Sequence, residues 1–193
     1  MIYFIVFAIF AFNPYDRTVW WAENIPIILI VAAICLITKY YYRFSNLAYF
    51  MMTVLVIMHT IGGHYTFARV PFGFITELFN FSRNHYDRVA HFSVGFYAYP
   101  IAEMVFQKRK VNTIITAAVF GIFAIFTVAG VYEIFEWQFA LSADPEAGIE
   151  VLGSQGDIWD AQKDILADGL GSILAAVLFI IANKKGNKHA GNN

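Results

Sequence analysis

The sequence predicts an all-α fold, a polytopic transmembrane helix bundle of about six spans with the first one short. Three observations point there. Of 193 residues, 59% are hydrophobic and 18% aromatic, only 14% are charged, and the mean hydropathy is +0.58. Soluble chains carry about 25% charged residues, so much of this surface faces something other than water. The apolar residues gather into runs of the length a bilayer requires, roughly 20 for a helix across a hydrocarbon core about 30 Å thick. Tryptophan, tyrosine and basic residues then fall at the ends of those runs, where interfacial anchors belong.

The first run, 2–12, reaches only about 18 Å at 1.5 Å per residue, so it tilts or inserts partly. No Lys or Arg precedes it and Asn13-Pro14-Tyr15 is no small-residue cleavage site, so it reads as a membrane segment and not a signal peptide. The runs 25–42, 47–64, 89–106, 112–137 and 159–182 are each long enough to cross. Residues 1–183 thus form a single integral-membrane domain, and 184–193 a disordered cytoplasmic tail. The lone Cys35 lies mid-span; it makes no internal disulfide and no Cys-based metal motif. A net charge of -1 and the lack of a basic, aromatic-interleaved face give no reason to expect nucleic acid.

Orientation follows from the 13 Lys and Arg. Lys39, Arg43, Lys108, Arg109, Lys110, Lys184, Lys185 and Lys188 share one side, on short connections. Arg17, Arg69, Arg83, Arg88 and Lys163 share the other, on longer ones. The positive-inside rule places the C-terminus in the cytoplasm and the loops 13–24, 65–88 and 138–158 outside. Trp20, Trp21, Trp137 and Trp159 fall at the outer boundary and Tyr40 to Tyr42 at the inner one.

The polar residues inside the spans crowd toward the outer end. An Asp or Lys at a helix centre costs roughly 3 kcal/mol on insertion scales, so a cluster of them needs a shared purpose. Asp157, Asp160, Asp164 and Asp168 are spaced 3, 4 and 4, which keeps them within a stripe of about 80° on the last helix. Asp87 and His91 stand i, i+4; Glu133 and Glu136 stand i, i+3. Carboxylates and imidazoles from several helices, with no thiolate, suit a divalent metal ion, zinc or another, in a bundle interior. The expected ligands are His59, His91, Glu136, Asp160 and Asp164. Asp87, Glu133 and Asp168 are the expected catalytic or supporting acids, and His64, Gln155, Asp157, Arg83 and Arg88 complete the polar site. The plainer reading is structural. Asp87 pairs with Arg83 or Arg88, Asp157 caps a helix, His91 is a satisfied core histidine, the glutamates bond neighbouring helices, and Glu103 pairs with the basic turn 108–110. The glycines of His59-Thr60-Ile61-Gly62-Gly63-His64 and Gly153-Ser154-Gln155-Gly156 permit tight turns or close backbone approach.

Several motifs together resemble a known family. Pro14-Tyr15-Asp16-Arg17 with Glu23-Asn24, His59-Thr60-Ile61-Gly62-Gly63-His64-Tyr65-Thr66, Arg83-Asn84-His85-Tyr86-Asp87-Arg88 with His91-Phe92, Tyr132-Glu133 with Glu136-Trp137, and Leu152-Gly153-Ser154-Gln155-Gly156-Asp157 with Trp159-Asp160 and Gln162 look like the YjdF-like inner-membrane proteins (DUF2238), a family of unknown function. Asp87-Arg88-x-x-His91-Phe92 with the Asp-rich last helix is also similar to VanZ-like membrane proteins, linked to glycopeptide resistance. The first resemblance implies a multi-pass protein of the bacterial inner membrane and brings no reaction with it. Three classes of function stay open: a metal-dependent hydrolase or transferase acting on a lipid or lipid-linked substrate, a non-catalytic lipid-binding or assembly protein, and a proton- or cation-coupled transporter. Membrane lipids are the expected partners. Transport is the less supported of the three, because the inner halves of the spans lack a polar trail apart from Glu103.

Overall fold

The computed structural model describes residues 2–190, and every regular element among them is helical. In chain order these are α1 (Ile2–Ala11), α2 (Arg17–Tyr40), α3 (Asn46–His64), α4 (Gly73–Leu78), α5 (Tyr86–Val94), α6 (Ala98–Gln107), α7 (Ile114–Ser142), α8 (Pro145–Leu152) and α9 (Asp160–Ala190). Four of them are long and apolar enough to cross a membrane: α2, α3, α7 and the part of α9 from Asp160 to Lys184, with mean hydropathies of 2.0, 1.4, 2.4 and 2.3. Large apolar side chains remain exposed along α2, α7 and α9, among them Leu29, Phe123, Val131 and Leu170. A helix apolar all round is either buried or bathed in lipid, and these are exposed.

Local chemistry sets the ends. The Asp16 carboxylate accepts from the amides of Thr18 and Val19 at 2.7 and 2.9 Å and so starts α2 at Arg17. That start lies about two turns ahead of the hydrophobic run, and it carries Glu23 and Asn24, expected in a loop, into the bundle, where they are 2% and 0% exposed. Ser45 caps α3, Thr113 caps α7, and Asp144 with Pro145 opens α8. The short α1 packs on α3, and its last carbonyls are taken up by the chain that follows. Trp20 Nε1 and His64 Nδ1 lie 3.1 and 2.9 Å from Phe10 O, and Arg17 donates to Ala11 O.

The run expected as a single helix over 89–106 is instead α5, a 3-10 turn at Gly95–Tyr97, and α6. Pro100 has no N–H to offer the Phe96 carbonyl four residues back, and its ring crowds that carbonyl, so α-helical bonding lapses there. Residues 86–107 still extend about 33 Å at 1.5 Å per residue. Glu103 does not pair with Lys108, Arg109 or Lys110. It accepts from Ser45 Oγ and N at 2.5 and 2.8 Å and from Tyr42 Oη at 3.1 Å, because the α2–α3 turn brings a hydroxyl and an amide to it. The core at this end is rich in small residues, with Ala48, Ala98, Ala102, Ala117, Ala118, Ala175 and Ala176 around Phe179, the packing by which apolar helices approach within lipid. Helix α9 continues through 184–190, and residues 191–193 of the expected tail lie outside the described residues.

One close crossing positions the polar end. Gly95 lies against the backbone of α9, where an added Cβ would sit 2.3 Å from Ser172 N and 2.4 Å from Asp168 O. Gly171 lies against α5, where it would sit 2.0 Å from Phe92 O. Any side chain at either position would wedge α5 away from α9. The two helices therefore meet backbone to backbone one turn from His91 and Asp168.

Candidate functional site

Helix α5 presents Asp87 and His91 on one face, i and i+4, and α9 presents Asp160, Asp164 and Asp168 opposite. His91 Nδ1 lies 3.3 Å from both oxygens of Asp168, while Nε2 lies 3.7 Å from an oxygen of Asp87 and 3.7 Å from one of Asp164. All four residues are buried. One ligand atom each from Asp87, His91 and Asp164 falls within 4.8 Å of the others, a spacing that can hold a metal ion. A carboxylate on the far nitrogen of a metal-facing imidazole fixes its tautomer and raises its basicity, and Asp168 stands where that partner is needed.

Two arginines close the acidic stripe toward the bundle end. Arg83 donates to Asp160 at 2.5 Å and to the carbonyls of Ser154 and Gly153 at 3.0 and 3.2 Å; Arg88 binds both Asp160 and Asp164. Asp157 is held by Lys163 Nζ at 2.6 Å and accepts from the Trp159 amide at 3.1 Å. Outside the spans these contacts move titration. The Lys163 ammonium and the Trp159 N–H hold the Asp157 carboxyl below its ordinary range, and burial beside Arg83 lowers the His85 imidazole. Five carboxylates, Asp87, Asp157, Asp160, Asp164 and Asp168, face Arg83, Arg88 and Lys163, so acids outnumber basic side chains around His91.

His91, Asp87 and Asp168 form one wall of an open cavity whose empty space, counted out to its mouth, is about 750 Å³. The other wall is a second polar group. His59 Nε2 lies 3.0 Å from a Glu23 oxygen, Tyr132 Oη donates to that same oxygen at 2.9 Å, and Glu136 stands beside them with no side-chain hydrogen bond among the described residues. Apolar side chains, Ile27, Ile30, Leu55 and Val128, also line the cavity, as do Glu150, Val151 and Leu152 of α8 and Gly153 after it. Helix α8 is latched by an ion pair from Arg69, which also lies 4.0 Å from the Tyr15 ring, and this hydrogen bond holds the Glu150 carboxyl below its ordinary range. The left-handed turn at Gly153, φ 60°, then returns the chain to α9.

The structure thus brings Asp87, His91, Asp164 and Asp168 together and sets His59 and Glu136 across the cavity from them. Asp160 is engaged by both arginines, and a Glu133 oxygen is buried without a partner. Gln155 clasps Asn84, accepting from its amide and donating to its carbonyl at 3.0 Å each, which ties the loop before α5 to the loop before α9. His64 faces α1 and not the cavity lining. Sequence reasoning gave no role to Glu23 or Tyr132. The signal for Glu23 was the Asp16-Arg17-Thr18 cap, which moves the start of α2 ahead of it.

The family model described as "Predicted membrane protein (DUF2238)" matches residues 1–185. The chain is 32% identical over 175 residues to "Inner membrane protein YjdF" of Escherichia coli (strain K12), covering 87% of this chain and 80% of that protein. No solved structure matches. These comparisons lend no support to the VanZ-like resemblance.

Proposed function

We propose, from the premise that this chain belongs to the DUF2238 family of predicted membrane proteins, that it is a metal-dependent hydrolase or transferase. Its substrate is a lipid or lipid-linked molecule, and it works at the extracytoplasmic face of a bacterial inner membrane. The observation that carries this reading is the set Asp87, His91 and Asp164 within 4.8 Å, backed by Asp168, with Asp87, His91 and Asp168 lining a cavity between apolar helices. The excess of acids over basic groups there suits a divalent cation. When bound, such an ion polarises a phosphoryl or carbonyl oxygen or lowers the pKa of water.

The roles follow from position. Asp87, His91 and Asp164 hold the ion, and Asp168 orients His91. Asp160 lies outside that set and is bound by both Arg83 and Arg88, so it aligns them and is not a ligand; Arg88 also binds Asp164. Across the cavity, the Glu23–His59 pair, joined by Tyr132 and with Glu136 alongside, is set to give or take a proton at a bound head group. A substrate with an apolar tail reaches this site sideways, between helices, without leaving the membrane.

A structural reading has its own observation: Arg88 bridges Asp160 and Asp164, as an ion-pair network that only fixes the bundle would. Metal analysis separates the two. Purified wild type should carry close to one divalent ion per chain, and Asp87→Asn and Asp164→Asn should lose it while keeping their helical spectrum. Metal-free wild type, with amide variants as stable or more stable, would leave the network as scaffold. Acid-dependent cation flux in proteoliposomes would instead favour transport.

A further inference from the structure

Below the polar cavity lies an open groove, with empty space of about 560 Å³ counted out to its mouth, between α2, the start of α3 and α6. Its walls are Ile30, Ile34 and Ile37 of α2, Met52 of α3, and Ile101 and Met104 of α6. The hydroxyl of Tyr97, which also borders it, is spent on the Met52 carbonyl at 3.1 Å, so this wall offers a ligand only apolar contact. Ile30 lines both cavities. A polar site and an apolar groove therefore adjoin at one side chain, in line along α2.

We propose that this groove is the chain-binding part of the same site: it holds the apolar tail of a lipid whose phosphate-bearing head lies at the divalent ion proposed for Asp87 and His91, which offsets the charge of the acids there. The proposal rests on the lipid reading given above and adds the path and length of the tail. From Ile25, where the apolar run of α2 begins, the lining continues to Ile37, about 18 Å at 1.5 Å per residue. Half the hydrocarbon core is only about 15 Å. The matching ligand is a single long chain that passes the bilayer midplane, and a short-chain ester would leave the groove to bulk lipid. Lipid tails are as apolar as the groove, so burial from water does not draw the chain in. The head group holds the molecule, and the groove selects where its tail lies.

The test reads location. The full chain in nanodiscs is irradiated with octadecyl phosphate carrying a diazirine either next to the head or at the chain end, and adducts are mapped by mass spectrometry. Head-proximal adducts are expected on cavity residues and chain-end adducts on Ile34, Ile37, Ile101 and Met104, several-fold above those on Phe120 and Phe123, which are exposed on the lipid face of α7. Ile34→Trp should abolish the groove adducts and leave the head-proximal ones; Ile101→Trp blocks the same groove from the opposite wall should the first variant fold poorly. Octyl phosphate should label the cavity equally in wild type and both variants. Chain-end adducts spread evenly over the groove and the α7 face, or unchanged by both tryptophans, would overturn the proposal. Groove labelling in a protein that binds no metal would keep the chain site and remove the metal-dependent chemistry; metal binding with no groove labelling would do the reverse.

Discussion

Gly95→Ala is the sharpest perturbation of the crossing that builds the site. The new Cβ would lie 2.3 Å from Ser172 N and 2.4 Å from Asp168 O, against 3.4 Å for the start of ordinary contact, so α5 and α9 must part by about 1 Å. The obstacle is backbone, which cannot swing aside as a side-chain tip can. His91 Nδ1 is already 3.3 Å from Asp168, and an added separation of that size takes the pair beyond hydrogen-bonding distance. Overpacking of this kind costs about 1–3 kcal/mol. At roughly 2–4 °C per kcal/mol for a chain of this length, thermal denaturation in detergent should fall by about 2–12 °C. Metal content should drop with it. Gly130→Ala is the control, since nothing lies within 4 Å of its added Cβ and alanine favours helix over glycine by roughly 1 kcal/mol. Equal midpoints and equal metal content in Gly95→Ala and Gly130→Ala would refute the claim that this backbone contact sets the site.

Arg88→Met should destabilise by about 3–5 kcal/mol, because Asp160 and Asp164 lose their shared buried counter-charge; the double variant with Asp160→Leu should recover part of the loss, and a wild-type midpoint for the single variant would contradict the network. Acid should release α8. The Arg69 contact lowers the Glu150 carboxyl, so its contribution is complete above the unfolded value, roughly 4.3, and fades as pH falls through the lower folded one. Protection factors of the α8 amides, taken against the intrinsic rate at each pH, should therefore fall on acidification in wild type and lose that pH dependence in Glu150→Gln. A reporter active only outside the cytoplasm, fused after Asn193, should stay silent, and one placed between Phe79 and Phe81 should be active; the reverse pattern would invert the orientation.

The sequence alone determined that the chain is an all-helical membrane bundle, because apolar runs of spanning length are a one-dimensional property that lipid reads directly. It also determined that Asp160, Asp164 and Asp168 share a face and that Asp87 aligns with His91, since helical periodicity fixes neighbours within one helix. Partners across helices were decided elsewhere. Nothing in the spacing says that Arg88 claims Asp160 and Asp164 or that Asp168 sits behind His91, because those contacts depend on the rotation and depth of α5 and α9 set by the Gly95–Gly171 crossing, and the pairing of His59 with Glu23 depends likewise on how α2 meets α3. Glu103 shows the same division: the charge of the nearby turn 108–110 suggested one partner, and the turn from Tyr42 to Ser45, remote in sequence, supplied another. Local sequence dictates which groups share a helix face. Only the packed bundle decides which faces meet, because interhelical geometry is settled jointly by small-residue contacts that no single helix contains.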